Sequence, residues 1–404
     1  MSHQDPVQNQ FTWPDLPYFQ NLRSLKLFGL CDPMSRLARD IARVLIASPQ
    51  LKILGLGMHM CDFIMRFGMP GLGDGTNNKL LIKEIIDEMQ KLRVADESQL
   101  ELEELCLGLG GLPGSPLPVE QAIRDISPLT RLEKLQVLQL INGDGVHTTF
   151  TIDSEAFYPC TSLRRLVVDI LNDDISDIIQ TLHSSSSNLV EIQIRRTHSQ
   201  ARKLHLGPQY QMMPVEPGLA LLKTLGTDWV KMHLEMPSAL ESLFRFQEND
   251  RTYAKLEELS LFLTVGPNGT VYGLIGPVEH RQWALLRTSL VNLPCLRRLL
   301  LRFDCPVPKS VASSLASTLF SAHEDFMHFQ NLPSNFTYIT LKSSESEFFS
   351  FRRIFVPGSI PIGVETRRRA WSLVDVPRDE TNDWNWDVTH EPPEPHQRYY
   401  SSEF

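Results

Sequence analysis

The sequence has six cysteines, at 31, 61, 106, 160, 295 and 305, and no C-x-x-C pair among them. That spacing excludes zinc-ribbon and dithiol redox motifs and reads, in a chain of this size, as reduced thiols in a cytoplasmic or nuclear protein. Long apolar runs are missing as well. None approaches the roughly 20 residues that cross a bilayer, and the opening stretch MSHQDPVQNQFTWPDLPYF has no basic region leading into an apolar core. Neither a membrane partner nor a secretory route is expected. Positive charge is also scarce, with 39 Lys and Arg against 48 Asp and Glu, a formal charge of -9 and a pI near 5.8. A general nucleic-acid binder leaves a basic footprint, so no nucleic-acid partner is expected.

The motifs of catalysis are absent in turn. GLGGLP from Gly108 has Pro113 where a dinucleotide fingerprint needs its third glycine, and neither GxxxxGK[ST] nor GxSxG occurs. In HEDFMH, His323 and His328 are five residues apart. At about 100° per residue this puts them roughly 140° apart on a helix, so they do not share a metal-facing side. Asp169, Asp173, Asp174 and Asp177 lack the glycine and spacing of a calcium loop and suit a helix N-terminus instead. No catalytic residue, metal or cofactor is expected, and the chain reads as a non-enzyme.

What the sequence does contain is a repeat. L-x-x-L-x-L, with aliphatic or aromatic substitutions, starts at 22 (LRSLKL), 51 (LKILGL), 102 (LEELCL), 135 (LQVLQL) and 163 (LRRLVV). It starts again at 189 (LVEIQI), 229 (WVKMHL), 256 (LEELSL), 296 (LRRLLL) and 336 (FTYITL), ten copies whose starts lie 26 to 51 residues apart by subtraction. In a short strand, positions 4 and 6 of such a copy point to one side, so stacked copies build a core that no single copy could bury. Leu22, Leu25 and Leu27 are expected to be core. Between copies lie amphipathic helical patterns: MSRLARDIARVLIAS with Leu37, Ile41, Val44 and Leu45 on one face, and LLIKEIIDEMQKL with Leu81, Ile85, Met89 and Leu92. DDISDIIQTLH and KSVASSLASTLFSAHEDF are two more. Overall, 42% hydrophobic residues and a mean hydropathy of -0.16 suit a chain with a real core.

This pattern resembles the leucine-rich repeat family over residues 22 to 342. SPQLKIL, YPCTSLRRL and LPCLRRL carry a flanking Pro or Cys, and Cys31 and Cys305 fall just past a strand, where the family often has Asn or Cys. The aromatic starts at 229 and 336 and the 40- and 51-residue spacings depart from it. The resemblance implies an α/β fold: a curved solenoid with a parallel concave sheet and convex helices. The expected organisation is a lead-in or cap over 1–21, the solenoid over 22–342, a C-terminal cap over 343–374 and an acidic, Trp- and Pro-containing tail over 375–404. Disorder is the first reading of that tail, and strapping back over the solenoid the second. Gly- and Pro-rich stretches at 67–78, 109–121 and 266–280 read as loops.

In such a solenoid, positions 3, 5 and 7 of each copy form the concave row. That row holds seven cations (26, 165, 195, 231, 298, 302, 342) and five anions (104, 169, 191, 235, 258). A mixed, mildly positive face suits a protein or peptide partner of some acidic character. The candidate partner-binding residues are Phe28, Arg165, Arg195, Lys231, His233, Phe262, Arg298, Arg302 and Tyr338, with Arg298, Arg302 and Tyr338 as anchors, since Arg and Tyr are enriched in hot spots. The irregular units and reduced cysteines are similar to the F-box-type leucine-rich repeat proteins of filamentous fungi. That likeness implies a non-enzymatic recognition solenoid acting as the substrate-recognition part of a cullin-type ubiquitin ligase. An F-box is not visible in the residues before position 22, so a ubiquitin ligase adaptor is an implied partner only if that domain is missing from this chain. The alternatives are a stand-alone scaffold or regulator without a ligase link and, from a different class, an enzyme with its site in the 67–78 or 266–280 loops.

Overall fold

The computed structural model describes residues 18–28, 34–57, 76–92, 99–108, 126–141, 152–168, 173–186, 188–194, 222–223, 225–226, 228–234, 253–263, 281–290, 292–303, 305–329, 335–342, 348–355 and 371–376. These residues form an α/β protein with twelve strands, mostly parallel, and five α-helices of ten residues or more. The chain divides into two compact units, Met1–Glu258 and Leu259–Phe404.

In the first unit the order is β1 (Ser24–Phe28), α1 (Met34–Ile46), β2 (Ile53–Gly57), α2 (Thr76–Leu92), β3 (Glu104–Gly108), β4 (Val137–Ile141), β5 (Arg165–Val168), α3 (Asp173–Ser185), β6 (Glu191–Ile194) and β7 (Lys231–Leu234). The second unit contains β8 (Glu258–Leu263, which opens at the boundary), α4 (Arg281–Leu290), β9 (Arg298–Phe303), α5 (Lys309–Phe329), β10 (Tyr338–Lys342), β11 (Phe348–Phe355) and β12 (Trp371–Asp375). Every one of the ten copies begins its strand at position 3 of the repeat. From β1 to β7 the parallel pairing keeps like positions opposite one another: Ser24, Ile53, Glu104, Val137, Arg165, Glu191 and Lys231 stand in one row.

The backbone shows why the register holds. The position-2 amide of one copy donates to the position-2 carbonyl of the copy before it: Lys52 to Arg23, Glu103 to Lys52, Gln136 to Glu103, Arg164 to Gln136, Val190 to Arg164 and Val230 to Val190, all at 2.8–3.1 Å. A slip of one residue would turn each leucine pair to the opposite face, so the hydrophobic pattern and this ladder fix the same alignment.

The core follows from the same positions. Residues at 4 and 6 are buried in each copy, from Leu25 and Leu27 to Ile339 and Leu341. Position 1 is buried as well from the second copy on, including Trp229 and Phe336, so the aromatic starts fill the leucine's place. Leu22 is the exception to the expected core, being half-buried, because β1 is the edge strand and no described copy stacks on its outer side. Each such burial contributes about 1.5–3 kcal/mol.

The helices bury the faces their periodicity dictates, with two differences. In α1, Leu37, Ile41, Val44 and Leu45 are all buried. In α2 the expected Ile85 and Met89 are buried, together with Ile82 and Ile86, while Leu92 in the last turn is exposed; the Leu81 side chain lies outside the described residues. α2 also begins at Thr76, so residues 76–78, expected in a loop, are helical; polar Thr and Asn suit a helix's first turn as well as a loop. Residues 67–75, 109–121 and 266–280 lie outside the described residues. α1 packs on α2, and Glu88 of α2 joins Arg39 of α1 at 3.2 Å.

In the second unit β9 and β10 are parallel, whereas β11 runs antiparallel to β10 and β12 antiparallel to β11. The expected cap over 343–374 thus contains β11 and most of β12, which extend the sheet, and β12 runs on to Asp375, the first residue assigned to the tail. α5 packs against β11: the Arg353 guanidinium sits 5.6 Å from the Phe320 ring centre and 3.5 Å from the Glu324 carboxylate. Phe351 and Arg353 thus face α5, and Ser350 and Arg352, at the alternate positions, face the other way.

Candidate protein-recognition face

The face formed by positions 3 and 5 is built differently in the two units. In the first, position 3 of β5, β6 and β7, followed by Glu258, reads Arg, Glu, Lys, Glu, and these residues neighbour one another. Arg165 meets Glu191 at 3.0 Å and Lys231 meets Glu258 at 3.4 Å, while Glu191 and Lys231 stand opposite in the ladder. Arg165 also donates to Gln193 Oε1 at 2.6 Å. Further along, Lys26 reaches across Gly55 to Glu104 at 3.0 Å, and Gln139 Nε2 donates to the same carboxylate at 2.9 Å. Gly55, opposite Lys26 in the ladder, adds no side chain to that diagonal path. Cross-strand opposite charges of this kind contribute roughly 0.2–1 kcal/mol each. Cations and carboxylates alternate here rather than summing to a positive field.

The row expected to point outward is also not open along its whole width. Position 3 is half-exposed, but position 5 is buried at Cys106, Gln139, Val167 and His233 in the first unit, and at Ser260, Leu300 and Thr340 in the second. Small and neutral side chains dominate this inner row, which explains why the charge sits at position 3.

Of the candidate residues, Arg165 and Lys231 are half-buried members of the charge ladder, and His233 is buried on the next row. Arg195 and the Phe28 side chain lie outside the described residues, as do Asp169 and Glu235. In the second unit Arg298 and Tyr338 stand opposite each other, with the guanidinium carbon 5.9 Å from the ring centre, within the range of a cation–π contact. Arg302 pairs in register with Lys342 and is 9% exposed, and Phe262 is buried. The structure therefore brings Arg298, Arg302 and Tyr338 onto two adjacent strands, and it adds Arg352, which stands opposite Tyr338. Arg352 lies beyond the last copy of the repeat, where the leucine pattern no longer marks position 3.

Two titratable groups away from this face are held far from their ordinary range. His323, fully buried in α5 beside Phe336, has its pKa lowered to about 4 by burial, which outweighs the bond its Nε2–H donates to the Leu293 carbonyl at 3.2 Å. Burial, assisted by the charge of Glu133, pushes the Cys160 thiol up to about 12. His323 points into the core, and the His328 side chain lies outside the described residues. Among the described residues no three His, Cys, Asp or Glu side chains gather as metal ligands, and no helix is long and apolar enough to cross a membrane. Among the described residues, Cys106, Cys160, Cys295 and Cys305 are not in disulfides.

No family model matches the chain, and no curated protein shows significant similarity to it.

Proposed function

We propose that this chain is a leucine-rich repeat solenoid that recruits a protein partner through the sheet face carrying positions 3 and 5. One observation carries the reading: all ten copies open their strands at position 3, so the face repeats one residue of fixed register per copy. Such a row suits a graded recognition surface. Its alternating Arg165, Glu191, Lys231 and Glu258 present a charge pattern that would disfavour a partner shifted by one strand, since like charges would then meet. The narrower form of the proposal, the substrate-recognition part of a cullin-type ubiquitin ligase, is supported by the likeness to irregular F-box-type repeats.

Exchanging Lys231→Glu and Glu258→Lys together tests the face while keeping the ion pair. The tagged wild-type chain and the exchanged chain are purified from cells at native expression, and their companions identified by mass spectrometry. Loss of specific companions, with an unchanged thermal transition, is the expected result; identical companions would remove the face from the proposal. A cullin and its adaptor among the companions would support the ligase role, and their absence would leave a stand-alone recognition protein.

A further inference from the structure

Position 2, the residue before each strand, forms a second row along the rim where the chain enters the sheet. In the first unit a cation on this rim takes a carboxylate where the neighbouring copy supplies one. Lys52 meets Glu103, position 2 of the next copy, at 3.4 Å, and beside it Arg131 meets Glu101 at 3.0 Å. Arg164, position 2 of the β5 copy, has Gln136 and Val190 as its neighbours in that row, so neither copy supplies it with a carboxylate there. Its side chain is exposed and makes no ion pair among the described residues. It lines an open groove of about 490 Å³ with Gln136, Ser162, Asn188 and Val190, none of which is charged. The backbone of this groove is already engaged: the Gln136 carbonyl accepts from the Arg164 and Arg165 amides, and the Arg164 carbonyl from those of Val190 and Glu191, all at 2.9–3.1 Å. A ligand is therefore met by side chains, namely one guanidinium, two primary amides and one hydroxyl.

We propose that this groove binds a short extended peptide segment of a partner protein, with one acidic side chain on Arg164 and the flanking peptide groups on Gln136 and Asn188. A guanidinium fork matches a carboxylate with two parallel bonds, which supplies what Glu103 supplies to Lys52. Each primary amide carries both a donor and an acceptor, the complement of a peptide unit. A free anion would use Arg164 alone and leave both amides idle, so a peptide fits the lining better. Gln136 and Asn188 belong to the copies on either side of Arg164's own. Those copies lie two strand steps apart, about 10 Å at the spacing of a sheet, which about three extended residues span. The acidic residue thus falls in the middle of the segment. The groove lies off the face of positions 3 and 5, and the proposal goes beyond the recruitment reading: it stands whether or not that face holds a partner.

Two blocked tripeptides, N-acetyl-Ala-Glu-Ala-amide and N-acetyl-Ala-Gln-Ala-amide, test the groove when titrated into the intact chain, with acetate as the bare carboxylate. Binding is read by saturation transfer to the ligand methyls, and the site by the Arg164 side-chain signal in a chain carrying isotope-labelled arginine. That signal is identified by its loss in Arg164→Gln, whose thermal transition should match the wild type because the side chain is exposed. The expected result is a saturable shift of the Arg164 signal by the Glu peptide, with binding about tenfold weaker for the Gln peptide and for acetate, as the loss of one charge-assisted contact or of the amide contacts allows. Arg164→Gln should weaken the Glu peptide by a similar factor. Arg23→Gln, at position 2 of the first copy and outside the groove, should leave it bound as before. Equal binding of the Glu and Gln peptides would overturn the proposal, and so would full binding by Arg164→Gln or no saturation transfer to either peptide. Acetate that saturates the Arg164 signal as tightly as the Glu peptide would reduce the groove to an anion trap and remove the peptide from it.

Discussion

His323 is a single side chain whose burial sets a pH dependence for the second unit. Its folded pKa of about 4 lies below the ordinary 6.5, so the unfolded chain binds the extra proton first as pH falls. The contribution is therefore complete above pH 6.5 and is lost progressively toward pH 4, by about 2 kcal/mol at pH 5. Urea unfolding at pH 7.5 and pH 5 should show this loss, and His323→Gln, which keeps a donor for the Leu293 carbonyl, should remove most of it. An unchanged difference between the two pH values would place the titration elsewhere. Cys160 makes the parallel case for a thiol: with its pKa near 12 it has almost no thiolate at pH 8. Iodoacetamide mapping should find the half-exposed Cys295 and Cys305 alkylated in the folded protein and Cys160 only after denaturation.

At the scale of the element, the question is what an aromatic start does to a repeat. Trp229 occupies position 1 fully buried, and its Nε1–H donates to the Leu222 carbonyl at 3.2 Å. Trp229→Leu would restore the repeat's usual residue yet leave a cavity and an unmet carbonyl, for an expected cost of about 2–4 kcal/mol. A denaturation midpoint unchanged by the substitution would mean the copy tolerates either residue. The strands were legible in the sequence because every copy carries its leucines at fixed offsets, so Ser24, Ile53, Glu104 and their successors could be numbered without coordinates. The helix Arg281–Leu290 was not singled out: its buried Trp283, Leu286 and Leu290 are spaced for one face, but they follow directly on a Gly-rich stretch that masks the start. The charge ladder was half legible. Arg165, Glu191, Lys231 and Glu258 were all placed at position 3, yet summing their charges hid the alternation that only pairing between successive copies reveals. The burial of position 5 was not legible, since a strand's alternation gives the side a residue faces and not what lies over it.

For the whole molecule, the ladder of like positions pairs each strand of the first unit with the strands before and after it, and a repeat array built in this way is expected to have local stability. Leu138 lies fully buried at the middle of this ladder, in β4, with Leu105 and Leu166 opposite it on either side. Leu138→Ala removes about 2–5 kcal/mol of packing. In a nearest-neighbour array the damage is greatest at β3 to β5 and fades along the sheet, whereas a cooperative globule would lose protection everywhere by the same amount. Hydrogen exchange read by mass spectrometry separates these outcomes: amides of β3, β4 and β5 should speed up most, β1 and β7 less, and β9 to β11 in the second unit least. Uniform acceleration across both units would show that the repeats fold as one block and would remove the nearest-neighbour account. On the recruitment proposal, local stability would have a functional corollary: a face assembled from semi-independent strands would let a partner tighten the copies it touches without reorganising the rest.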